Sequence, residues 1–291
     1  MHVIFHIGAH CTDEDRLLNS MLKNQGLLNA HGVIVPEPRQ YRKLILRTIK
    51  YLRGAHLTRF EQKELLEEIS GNFDADRLIL SSEDFLTYKT KIFANQSLYG
   101  NVTDRISALT DLFAASRVEF HLCIRNPATF IPAVFARTKK LSFTDFLNGT
   151  DVNDVKWSPM IRAICKASPK SKMTVWCYED APLIWSHLMY DMTDVDTRLP
   201  LSDEASILEL ILTGEGARRC QSYLEEHPPR NELQRRRVIR VFLRKYALPA
   251  TLGEKMGIPE WTQDKIDELT GKYEEDIYEI LRIPGVSFIG A

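Results

Sequence analysis

The sequence predicts an α/β fold, a largely parallel sheet flanked by helices with a helical C-terminal cap, and three observations carry that prediction. Short β-prone runs alternate with segments of helical spacing, the order expected of parallel strands joined by crossover helices. The runs are nearly continuous in apolar residues, as strands covered on both faces must be. After about Leu201 the strand signal stops and helical spacing persists almost to the end. With 291 residues, the expected organisation is a single domain over 1–291, with a helical insertion at about 38–71 and the helical cap at about 202–280.

Val3, Ile4, Phe5, His6 and Ile7 make the first strand, which ends at Gly8. A polar turn then leads into Leu17, Leu18, Met21, Leu22, Leu27 and Leu28, whose spacing predicts one helix closed by Gly32. Thr12 with Asp15 three residues later reads as a capping-box-like pair, and Asp13, Glu14 and Asp15 stand where the positive end of a helix favours acids. A second short strand follows at 33–36, and two amphipathic helices broken at Gly54 fill the insertion. Next come a strand at 77–82, a polar loop through Gly100, a helix at about 103–115, and strands at 118–124 and 173–178. In the cap, Pro228 and Pro229, then Pro249, then Gly257 with Pro259, separate the helices. The last helix is predicted at about 262–280, before a turn at Pro284 and Gly285 and a short strand from Val286.

Charge and composition exclude several function classes. Lys plus Arg (38) nearly balances Asp plus Glu (39), so no global field draws the chain to nucleic acid or to an anionic membrane, and any anion site must be local. No apolar run approaches the roughly 20 residues that span a bilayer. The start lacks a basic segment followed by a cleavable apolar stretch, and the five cysteines are scattered without a Cys-x-x-Cys pair, so a soluble, cytoplasmic chain is expected. Arg235, Arg236, Arg237, Arg240, Arg244 and Lys245 alternate with apolar residues at helical spacing and read as the solvated face of a packed helix, with an acidic partner or a nucleotide phosphate as the alternative. No aromatic platform accompanies them, which argues against nucleic acid.

Ligands of open parallel sheets bind beyond the carboxyl ends of the strands. Three such ends carry polar residues here: the loop from His6 to Asp15, the turn Ser81, Ser82, Glu83, Asp84, and Arg125-Asn126-Pro127. A helix N-terminus with an arginine beside it is suited to phosphate or sulfate. His6, His10, Cys11 and Asp13 are ligand types for a zinc-like ion, but their spacing matches no standard site and no metal is assigned. Cys11 reads either as an acidified nucleophile or as a thiol of a capping loop.

The same residues resemble those of bacterial sulfotransferases. His6-Ile7-Gly8 before a loop and helix resembles the strand and 5′-phosphosulfate loop, and Ser81-Ser82-Glu83 resembles the strand end that follows. Ile124-Arg125-Asn126-Pro127 resembles the element whose arginine contacts the donor's 3′-phosphate. Tyr178-Glu179-Asp180, Trp261, Tyr273, Asp276 and Pro284-Gly285-Val286 are similar to later family elements, in the same order. The resemblance implies a P-loop NTPase-like sulfotransferase fold, 3′-phosphoadenosine 5′-phosphosulfate as donor, and a glycan or small-molecule hydroxyl as acceptor. Cys11, Thr12, Asp13, Arg16 and Arg125 would then hold the donor, and Glu83 would be the catalytic base.

The loop departs from the family pattern Lys-Thr-Gly-Thr-Thr. Here it reads Cys11-Thr12-Asp13-Glu14-Asp15, so a cysteine replaces the lysine and three carboxylates stand near the anion's place. Ala133 occupies the position of a phosphate-binding serine. Arg137, Lys139 and Lys140 are candidates to restore charge. Two expectations follow, a divergent sulfuryl transferase or a fold that has lost donor binding and serves as a binding or assembly protein.

Overall fold

The structure, a computed structural model, describes residues 1–52, 54–71, 75–138, 141–203, 206–248, 258 and 261–291. Six parallel strands form one sheet in the order β2-β3-β1-β4-β5-β6, with β1 (His2–His6), β2 (Val33–Ile34), β3 (Arg77–Ser81), β4 (Arg117–Ile124), β5 (Lys172–Cys177) and β6 (Val286–Ile289). This is the expected α/β architecture. β1 pairs with β3 on one side and β4 on the other, in register His6↔Ser81 and His6↔His121. The strand order therefore reverses at β1, and the crevice where a ligand is favoured lies beyond the ends of β1 and β4.

Helices cover both faces. In chain order they are α1 (Arg16–Lys23), α2 (Gln25–Ala30), α3 (Pro38–Leu52), α4 (Arg59–Ser70), α5 (Val102–Leu112), α6 (Pro127–Phe135), α7 (Phe143–Leu147), α8 (Ser158–Ala167) and α9 (Ala181–Thr193). The cap contributes α10 (Leu208–Ile211), α11 (Gly214–Glu226), α12 (Glu232–Tyr246) and α13 (Gln263–Ile280). The predicted breaks at Pro249, Gly257 and Pro259 lie outside the described residues.

Strand alternation sorts the core. Val3, Phe5, Leu78, Leu80, Phe120 and Leu122 point to one face, where they meet residues of α5, α6, α8 and α13. Ile4, Ile79, Cys123 and Trp176 point to the other, against α1 and α9. That second face also buries polar groups. Arg77 pairs with Glu119 at 3.2 Å with side chains 8% and 4% exposed, and Arg77 Nε donates to the Met192 carbonyl. His6 and His121 lie in the same layer.

Three local expectations are corrected. The single helix predicted after the first loop is broken at Asn24, because its side chain docks elsewhere: Nδ2 donates to the Ser20 and Ser202 carbonyls and Oδ1 accepts from the Ser202 amide. The Thr12–Asp15 capping box does not form. Thr12 Oγ1 donates to the Ala9 carbonyl, and Asp15 is drawn to an arginine of α3. A box does form at α4, where Thr58 and Glu61 cap each other. The second strand is also shorter than its apolar run, since Val35 and Pro36 fall beyond its pairing with β3.

Among the described residues no helix is long and apolar enough to cross a membrane. All five cysteines are free.

Candidate functional site

The loop after β1 turns sharply. Cys11, Glu14 and Asp15 all take positive φ (58°, 53° and 65°), which costs non-glycine residues on the order of 1 kcal/mol or more each unless side-chain contacts compensate. Those contacts are present. Asp15 receives a two-pronged bond from Arg42 at 2.5 and 2.8 Å. Glu14 pairs with Arg137. Asp13 Oδ2 accepts the Leu17 amide at 3.2 Å, so this acid caps the first turn of α1.

The carboxylate nearest the loop's own amide is Glu83. Its Oε2 accepts the Cys11 N–H at 3.1 Å, while Arg125 Nη1 donates to the Cys11 carbonyl at 2.7 Å. Both polar atoms of the Cys11 backbone are thus taken by charged side chains from the ends of β3 and β4. Arg125 is further fixed by Nε donating to Thr129 Oγ1 at 2.9 Å and by the Tyr178 ring, 4.6 Å from its guanidinium carbon.

The predicted donor residues therefore separate into two groups. Arg125 and the base candidate Glu83 converge on the backbone of Cys11, bonding the two peptide units on either side of its Cα. Thr12 is buried with its hydroxyl turned back to Ala9, Asp13 caps α1, and the Arg16 side chain makes no hydrogen bond or ion pair with described residues. Ala133 lies in α6, Arg137 reaches the loop through Glu14, and Lys139 and Lys140 lie outside the described residues.

Burial pushes the Cys11 thiol up to about 11, and the attraction of Arg137 and Arg125 does not reverse it. At neutral pH it is a thiol, not a thiolate nucleophile. His6 and His10 are each held at Nδ1 by a hydroxyl group. His6 Nδ1 lies 2.9 Å from Ser81 Oγ, and the Tyr99 hydroxyl sits 2.7 Å from His10 Nδ1 while accepting the His10 amide. Among the described residues no group of three ligating side chains converges.

No family model, curated protein or solved structure matches the chain. The likeness to sulfotransferases therefore rests on the ordered strand ends alone. Those strand ends have clear structural work. Glu179 accepts the Asn126 amide at 2.9 Å and the Tyr273 hydroxyl at 3.1 Å, tying β4, β5 and α13 together. Asp276 is 1% exposed and accepts the amides of Trp157 and Ser158 at 2.6 and 3.2 Å, capping α8 from another helix.

Sequence reasoning missed Arg42, Tyr99 and the structural role of Tyr178. Arg42 stands next to Tyr41, whose hydroxyl also bonds Ser81, so the pair reads as one clamp only once α3 is packed on β3. Elsewhere, a groove of about 1140 Å³ opens between α9, α11 and α12, and one of about 430 Å³ beside 96–103 and α8.

Proposed function

We propose that this chain is a sulfotransferase-like protein whose donor site is occupied by its own side chains, and that it works as a binding or assembly protein rather than a sulfuryl transferase. One observation carries the reading: Glu83 and Arg125 occupy the amide and the carbonyl of Cys11, the backbone that a 5′-phosphosulfate would need. A phosphosulfate loop binds by offering free N–H groups and positive charge. Here the N–H faces a carboxylate, and Arg125, Arg137 and Arg42 are each engaged by the loop itself.

The ordered strand ends, Ser81-Ser82-Glu83 and Ile124-Arg125-Asn126-Pro127, support a second reading, a divergent transferase acting on a glycan or small-molecule hydroxyl. In that case Arg125 would leave the Cys11 carbonyl for the donor's 3′-phosphate, and Glu83 would take the acceptor's proton. Calorimetric titration with 3′-phosphoadenosine 5′-phosphate, with and without a divalent cation, separates the two. Absence of heat and of thermal shift at millimolar nucleotide supports the closed site. Micromolar binding that weakens in Arg125→Ala overturns it and favours the transferase.

A further inference from the structure

Two helices of the cap carry opposite charge on faces turned to solvent. Of the six cationic side chains of α12, Arg237, Arg240, Arg244 and Lys245 are exposed, and of the seven carboxylates of α13, Asp264, Asp267, Glu268, Glu274 and Glu275 are exposed. Arg237, Arg240 and Arg244 are exposed and make no hydrogen bond or ion pair with described residues. The same is true of Glu274 and Glu275 on α13, and the exposed Asp267 accepts only the amide of Gln263. Among the described residues, Arg237, Arg244, Glu274 and Glu275 form no ion pair, while Arg240 lies within electrostatic reach of Asp180.

The two faces match in spacing as well as in sign. Arg237 and Lys245 stand eight residues apart on α12, as do Asp267 and Glu275 on α13, a rise of about 12 Å in each case. The midpoint of the first pair is Val241, an exposed apolar side chain at 63%. The midpoint of the second is Gly271, exposed, with open space where a Cβ would stand. A projecting valine and a side-chain gap therefore occupy corresponding positions, each flanked by charges that attract those of the other.

We propose that α12 of one copy docks on α13 of a second copy, with Val241 seated over Gly271. α12 packs on the face of the sheet covered by α9, whereas α13 packs against α6 and α8 on the opposite face. Contact between surfaces on opposite sides of the chain is head to tail, so it repeats and does not close into a two-fold dimer. This surface is separate from the Cys11 loop, and the proposal stands whether or not that loop binds a donor.

Sedimentation velocity on the full chain tests it. At low salt the wild type is expected to sediment above its 33.5 kDa monomer, growing past a dimer with concentration. Near 1 M salt, where the Debye length is about 3 Å, it should return to monomer. Reversing Arg237, Arg240 and Arg244 to Glu, or Asp267, Glu274 and Glu275 to Lys, should each give monomers. Mixing the two variants should restore association, because each then offers the complement of the other's altered face. Gly271→Leu adds a better helix former without changing charge, so it should weaken assembly while leaving the fold at least as stable. A wild type that stays monomeric at every concentration at low salt overturns the proposal and leaves the α12 face to an acidic partner of another sequence. Reversed variants that associate as the wild type does also overturn it.

Discussion

Glu83→Gln isolates the charge that closes the loop. The amide keeps an oxygen to accept the Cys11 N–H, which lies 3.1 Å from Glu83 Oε2 in the wild type, so the fold should be little disturbed. An anion oxygen competing for that N–H would come within roughly 4 Å of the carboxylate, where two unit charges repel by about 4 kcal/mol at an effective dielectric near 20 and about 1 kcal/mol in water. Glu83 is half-buried, which places the penalty between those limits. A value of about 2 kcal/mol corresponds to roughly 30-fold in affinity. The assay is thermal shift and calorimetry with sulfate and with 3′-phosphoadenosine 5′-phosphate, wild type against Glu83→Gln, at constant ionic strength. The variant should respond at lower concentrations of both ligands. Identical sulfate-dependent shifts in the two proteins would refute the argument that Glu83 stands in an anion's place.

Three further outcomes follow from burial. His6 and His121 have pKa values below the ordinary 6.5 because burial disfavours the imidazolium. The unfolded chain takes up these protons as pH falls through 6.5 and the folded chain does not, so stability present above that pH is lost below it, by up to about 1.4 kcal/mol per pH unit for each histidine. Urea midpoints between pH 7.5 and 5.5 should fall, and less steeply in His121→Phe; an unchanged slope in the variant would contradict this. Cys11, raised from 9.0 to about 11, has about 100-fold less thiolate at neutral pH, offset about tenfold by the greater nucleophilicity of a more basic thiolate, so it should react with iodoacetamide at least about 10-fold more slowly than a free thiol, as mass spectrometry of the labelled peptide can measure. Asp276→Ala leaves the amides of Trp157 and Ser158 without their acceptor and should cost about 1–3 kcal/mol in urea unfolding, with Asp276→Asn costing less.

The strands were legible because two-sided burial leaves its mark on every residue: β1, β3, β4 and β5 are apolar runs that any other placement would expose. Helix ends set by distant partners left no such mark. The break between α1 and α2 is made by Asn24 bonding Ser202, 178 positions away. The loop shows the same limit. From sequence, Asp13, Glu14 and Asp15 read as three carboxylates near one anion site, yet two of them answer arginines from α3 and from the turn after α6. Glu83 could be named as a strand-end carboxylate, but its position against Cys11 depends on how the turn after β3 packs beside the loop after β1.

The closed shape of that loop is anchored from the core outward, and unevenly. His6 bonds the Ser81 hydroxyl, the Ser81 carbonyl accepts from Tyr41 and from Arg42 Nε, and Arg42 in turn grips Asp15. This is one continuous series of bonds from β1, through β3, to the start of α1. Arg42 is 26% exposed and already fixed by a backbone carbonyl, so holding Asp15 costs it little further side-chain entropy. The Glu14–Arg137 pair on the other side is 58% and 37% exposed and has no such support, which puts it among surface pairs worth about 0–1 kcal/mol. Any opening of the loop should therefore begin at Arg137 and leave the Arg42 side in place.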